Sequence, residues 1–142
     1  MGDTCDVIES TTTIAVHRPI SPYYLHEQTE YWSTSCGALK PTCIMYPKSA
    51  AEVSAIINVL KTTNETFAVK SGGHNPNNGF GSVDGGPLIS VQDMNQVLLD
   101  ANTGIANIGP GNRLDDVAAK LQGTGWTFVG GRIGNTGKKC PP

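Results

Sequence analysis

Residues 70 to 86 hold the stretch best equipped for chemistry: Lys70-Ser71-Gly72-Gly73-His74-Asn75, followed by Gly79, Gly81 and Asp84-Gly85-Gly86. Glycine lets a backbone turn through positive φ and lie close to a ligand, so successive N–H groups can converge on one concavity. Such a nest suits a pyrophosphate. His74 is the one side chain in this loop able to act as a nucleophile near neutral pH, because an uncharged imidazole keeps a lone pair on a ring nitrogen. Lys70 either adds positive charge beside the loop or sits in solvent. Read alone, the cluster marks a turn with an exposed or hydrogen-bonded histidine more often than a cofactor site. Gly72-Gly73 lacks the G-x-G-x-x-G spacing and no helical pattern follows it, so it is not a Rossmann fingerprint; a Walker phosphate loop is also absent.

The elements that must position this loop are short. Cys43-Ile44-Met45-Tyr46 before Pro47 reads as a strand, since proline disfavours helix at the residue before it. Ser49 and Glu52 form a capping box, and Val53, Ile56, Ile57 and Leu60 fall at i, i+3, i+4 and i+7, which predicts a helix. With the apolar run Phe67-Ala68-Val69, residues 43–70 read as strand, helix, strand with the two strands parallel. Further strands are expected at Leu88–Val91, at Val97–Leu99 and Ile105–Ile108 as a hairpin about Asn102-Thr103-Gly104, and at Trp126–Val129. Leu114, Val117, Ala118 and Leu121 predict a second helix with Gly123 as its stop, and Asp115 and Asp116 complement its dipole. Residues 1–40 are polar and aperiodic, but Tyr23, Tyr24, Tyr31 and Trp32 give them aromatic surface to lay on a core.

The bulk numbers narrow the function. With 142 residues, 38% hydrophobic and 15% charged, the chain fits one globular domain. A net charge of −2 with scattered Lys and Arg offers no footprint for a phosphate backbone, so no nucleic-acid partner is expected. No apolar run reaches the roughly 20 residues needed to cross a bilayer, so no membrane association is expected; Met1–Glu9 has no export-signal pattern. Cys5, Cys36, Cys43 and Cys140 match no zinc or redox spacing, which leaves free thiols or one or two disulfides open. His17 and His26 lack partners at metal-ligand spacing and read as surface or structural residues.

Taken in order, Val69-Lys70-Ser71-Gly72-Gly73-His74, Asp84-Gly85-Gly86, Gly109-Pro110-Gly111-Asn112-Arg113 and Gly130-Gly131-Arg132 resemble the PCMH-type FAD-binding domain. This is the domain of the vanillyl-alcohol oxidase superfamily, here most similar to its berberine-bridge-enzyme-like oxidoreductases. The resemblance implies an α+β fold, the amino-terminal portion of that domain, with small mixed sheets and packed helices. It implies a lead-in over 1–40, a partial FAD-binding domain over 41–137 and a divergent tail over 138–142. Ser71, Gly72, Gly73, His74, Asn75 and Gly79 would hold the FAD pyrophosphate, with Gly109, Pro110 and Gly111 in a turn close by. Gly130, Gly131, Arg132 and Ile133 would lie near the isoalloxazine. His74 matches the histidine that many members bond to the flavin, while others hold FAD without a bond. Arg132 stands near where bicovalent relatives place a second flavin-linking cysteine, so no second bond is implied, and Cys140 is too displaced to take its place. Cys5 and Cys43 resemble the early cysteine pair of secreted fungal members, with reduced thiols the alternative.

Members of the family continue past the position of Gly137 with further flavin contacts, a substrate pocket and a catalytic base. This sequence reads Lys138-Lys139-Cys140-Pro141-Pro142 instead, so truncation is expected. The resemblance implies FAD and, once completed, a small-molecule substrate as partners, with hydride transfer to the flavin as the reaction. The alternatives are a non-catalytic remnant acting as a nucleotide-binding or interaction module, and an unrelated binding module in which the loop is only a turn.

Overall fold

The computed structural model describes residues 3–134; the expected tail, 138–142, lies outside the described residues. Its centre is a four-stranded sheet in the order β1-β2-β4-β3, made of β1 (Ala15–His17), β2 (Ile44–Tyr46), β3 (Ala68–Lys70) and β4 (Leu88–Ser90). β1 runs antiparallel to β2, and β2, β4 and β3 are mutually parallel. The expected parallel pair therefore exists, but β4 lies between its members. β2 and β4 are buried throughout, as central strands covered on both faces must be, whereas edge strand β3 alternates buried, exposed, buried.

Strand alternation divides the core in two. Met45 and Ile89 face Cys5, Ile8, Ile14, Ile56 and Leu60, which come largely from α1 (Thr4–Thr11) and α4 (Ala50–Thr63). Ile44, Tyr46, Ala68 and Leu88 face the other way, toward Val83 and Tyr24 of α2 (Pro22–Thr29). Each large apolar side chain taken fully out of water contributes about 1.5–3 kcal/mol before chain entropy is charged. The predicted α4 forms with half of its expected capping box: Ser49 Oγ accepts from the Glu52 N–H at 3.2 Å, the Glu52 carboxylate accepts from the Lys48 N–H at 2.7 Å instead of from Ser49, and Asn64 ends the helix in the left-handed region at φ 55°.

Residues 3–40 are more structured than their aperiodic sequence implied. Caps specify these short helices: Asp3 caps α1, and Ser21 followed by Pro22 starts α2. A five-residue helix, α3 (Thr34–Ala38), completes the segment. Cys5 and Cys43 are joined in a disulfide that fastens α1 to the start of β2, and Cys36 is a buried free thiol. Cys140 lies outside the described residues.

Beyond the sheet, Val91–Asp93 forms a 3₁₀ turn, and β5 (Val97–Asp100) pairs with β6 (Ile105–Ile108) in the expected antiparallel hairpin. The predicted second helix is α5 (Leu114–Leu121). The strand expected at 126–129 does not form. Gly123 and Gly125 hold φ 80°, no neighbouring strand offers a ladder, and the Trp126 ring packs on Gly104 of the hairpin turn. No helix among the described residues is long and apolar enough to cross a membrane.

Candidate functional site

The 71–75 loop leaves the end of β3 and returns through Gly79 and Gly81 toward Val83. Strand alternation decides what its neighbours do: Val69 is exposed and lines the cavity, while Lys70 turns inward and is 2% exposed. Lys70 therefore neither offers charge to the loop surface nor sits in solvent, because its ammonium is 2.5 Å from Glu27 Oε1 in the interior. Gly73 sits at φ 70°, and an added Cβ would lie 2.7 Å from Lys70 Cε and 3.3 Å from the Glu30 carbonyl oxygen. Both conformation and space require glycine there.

Val69–Asn75, Phe80 and Gly81 line an open cavity of about 380 Å³. Among the described residues, the main-chain N–H groups of Gly72, Gly73, His74 and Asn75 donate to no protein acceptor. They remain available to an anion or to water. His74 is exposed, with its ring 5.9 Å from that of Trp32. The far side of the loop is pinned from below: Cys36 Sγ donates to the Pro76 carbonyl at 3.3 Å, Asn75 Oδ1 accepts from the Asn77 N–H at 3.0 Å, and Tyr31 Oη donates to the Gly81 carbonyl at 2.8 Å.

The structure brings the second predicted segment to the first. Ser71 Oγ donates to the Pro110 carbonyl, and Arg113 Nη2 lies 2.8 Å from Glu30 Oε2 at the end of α2. Gly111 fits because an added Cβ would meet the Val91 carbonyl and lie 2.6 Å from the Gln92 carbonyl oxygen. Ser71, Gly111, Asn112, Arg113, Glu30 and Lys120 share a second cavity of about 530 Å³. The third segment is placed elsewhere: Gly131 approaches Leu114, the Gly134 carbonyl accepts from the Asp115 N–H at 3.0 Å, and Arg132 and Ile133 are exposed. No hydrogen bond among the described residues joins 130–133 to 71–75. His17 stacks on Tyr23 at 4.6 Å and His26 lies 4.0 Å from Glu30, and no group of three metal-binding side chains occurs among the described residues.

Sequence reasoning missed Glu27, Glu30 and Cys36. Glu27 and Glu30 lie in a polar aperiodic stretch, and nothing in their spacing distinguishes a buried acid from a solvated one. The visible signal in that region was its aromatic residues, Tyr23, Tyr24, Tyr31 and Trp32, which pointed to a packed surface but to no acid.

Comparison with known proteins identifies the family. The family model described as "FAD binding domain" matches residues 41–136. An uncharacterized FAD-linked oxidoreductase of Arthroderma benhamiae is 41% identical over 87% of this chain and 25% of its own length. The FAD-dependent monooxygenase macF of Penicillium terrestre is 38% identical over 92% of this chain and 25% of its own. The crystal structure of 6-hydroxy-D-nicotine oxidase from Arthrobacter nicotinovorans superposes with a TM-score of 0.77 at 26% identity, over 88% of this chain and 27% of that one. The chain thus spans about a quarter of the length of the curated relatives it matches. With two thirds of its residues matched by the family, the chain belongs to the FAD binding domain family, the PCMH-type domain of the vanillyl-alcohol oxidase superfamily.

Proposed function

We propose that the chain is the diphosphate-gripping part of an FAD-linked oxidoreductase that oxidises a small organic substrate. Residues 41–137 form the flavin-holding portion in this reading, and 1–40 brace it. The observation that carries the reading is the row of unengaged amides from Gly72 to Asn75, in one loop, lining one cavity. Their donors fit a diphosphate. Ser71 ties this loop to the Gly109–Gly111 turn, which gives the cofactor two backbone walls. Gly79 lies farther along the same loop, while Gly130, Gly131, Arg132 and Ile133 form a separate exposed strip that suits the ring end of the cofactor.

When bound, FAD supplies the oxidising chemistry by accepting a hydride from the substrate carbon. The chain's own contribution is to bind and to orient. The amides hold the phosphates, Gly73 lets the loop lie directly on Lys70 and Tyr31, and His74 places an imidazole nitrogen at the cavity where a covalent tether is chemically reasonable. No residue among 3–134 is assigned to substrate deprotonation.

The test is to saturate the 142-residue chain with FAD, remove excess and record the visible spectrum. A yellow, folded chain is expected; a folded chain that stays colourless overturns the reading. Acid precipitation then locates the tether. Colour that precipitates with the wild type and moves to the supernatant in His74→Ala assigns a bond to His74, and colour released from both assigns non-covalent holding.

A second reading, a non-catalytic nucleotide-binding or interaction module, draws on the exposed Leu98, Ile105, Val129 and Ile133. The two part on whether the flavin is bleached anaerobically by a small organic donor once the chain is fused to the portion of a curated relative that it does not span, which only the oxidoreductase reading expects.

A further inference from the structure

Directly beneath the glycine loop lies a closed set of polar groups that the diphosphate reading does not use. Glu27 is 0% exposed and Lys70 2%. Glu27 Oε1 accepts from Lys70 Nζ at 2.5 Å and from Ser90 Oγ at 3.1 Å, while Oε2 accepts from Tyr46 Oη at 3.0 Å. The ammonium also lies 4.6 Å from the centre of the Tyr31 ring. Four elements meet here: α2, the ends of β2 and β3, and the end of β4.

Burying two charges is a poor way to gain stability, since apolar side chains of equal volume often do as well or better. The contacts above the pair show what it does instead. The aliphatic stem of Lys70 and the Tyr31 ring form the surface against which Gly73 is pressed: an added Cβ would lie 2.7 Å from Lys70 Cε and 3.5 Å from Tyr31 Cδ1. Tyr31 reaches the other arm of the loop through its bond to the Gly81 carbonyl. The paired charges hold the far end of the stem against Glu27, and the stem and ring together set the height of both arms.

We propose that Glu27 and Lys70 are positioning residues: their ion pair fixes the floor under Gly73 and thereby aims the amides of residues 72–75. The consequence for flavin rests on the diphosphate reading above, whereas the consequence for the loop does not. Glu27→Gln removes the charge and keeps the volume, so it tests the pair without opening a cavity.

The experiment is an amide ¹H–¹⁵N spectrum of the full chain, run beside an FAD titration and the visible circular dichroism of the bound flavin. In Glu27→Gln the Gly73 and His74 peaks are expected to shift or broaden, while those of Ile56–Leu60, on the opposite face of the sheet, stay in place. FAD affinity is expected to fall at least about tenfold, with an altered flavin dichroism, and Glu52→Gln at the exposed α4 cap should change none of these. Should Glu27→Gln fail to fold, Tyr46→Phe removes one hydrogen bond from the same carboxylate and should move the same peaks by less. A folded variant with unmoved Gly73 and His74 peaks and wild-type affinity, even if it melts at lower temperature, would show a merely structural pair and overturn the proposal. If the wild type takes up no FAD, the diphosphate reading falls, and the amide peaks still decide the pair.

Discussion

The two sides of the molecule are held in different ways. Around the four-stranded sheet, residues 3–91 contain every buried apolar side chain of the described core except Val117 and Leu121. The hairpin side, from Asn95 onward, leaves Leu98, Ile105 and Ile108 exposed and reaches the sheet side through polar links such as Ser71 to Pro110 and Arg113 to Glu30, with Met94 packed on the core at the junction. The glycine loop runs along this seam. Its floor is a fully buried ion pair with its hydrogen bonds, whereas its far wall is held by more exposed ones, Ser71 to Pro110 and Arg113 to Glu30.

Substitutions on the two sides put that contrast to the test. The largest effect is expected from Ile89→Ala, at the centre of the sheet, which should lower unfolding stability by about 2–5 kcal/mol in urea titration. Leu98→Ala on the hairpin should cost less than about 0.5 kcal/mol by the same assay. Equal losses at the two positions would abolish the distinction.

Next comes the covalent tie. Replacing Cys5 and Cys43 together by serine should cost about 2–4 kcal/mol, because the bridge spans 38 residues and restricts the unfolded chain. Thermal melting with and without reductant reads this directly. If instead the double variant and the reduced wild type melted with the oxidised wild type, α1 would be held to the sheet side by packing alone.

The smallest effect is one of pH. Burial first, then the nearby Glu27 carboxylate, raises the phenol pKa of both Tyr31 and Tyr46 above the ordinary value. A pKa raised on folding contributes stability that is complete below the unfolded value of about 10 and is lost as pH rises beyond it. Stability should therefore be level from neutrality to about pH 10 and decline above, with a shallower alkaline decline in Tyr46→Phe than in the wild type. An identical slope would mean that Tyr46 ionises as freely in the folded chain as in the unfolded one.

Much of this architecture was legible from residue order. The Ser49 cap and the Val53–Leu60 spacing specify α4, Asn102-Thr103-Gly104 between two apolar runs specifies the hairpin, and Leu114–Leu121 specifies α5. These are local signals, and the caps and turns that carry them act within a few residues. Trp126–Val129 shows the limit: an apolar run without a partner strand stays irregular, because ladder hydrogen bonds need a second chain segment. Within the site, the glycines and His74 were visible as a loop with unusual freedom. Glu27 and Glu30 were not, since an acid in a short polar helix looks the same whether solvent or a lysine faces it.

Residue order alone dictates the kind of loop present, its glycine requirement and the short elements on either side, because backbone conformation responds to residue type at close range. Long-range packing is what puts β4 between β2 and β3, turns Lys70 inward to Glu27 and brings Pro110 to Ser71. Those outcomes depend on which distant segments share a face, and that is settled by burial and hydrogen-bond satisfaction over the whole molecule rather than by any stretch of chain alone.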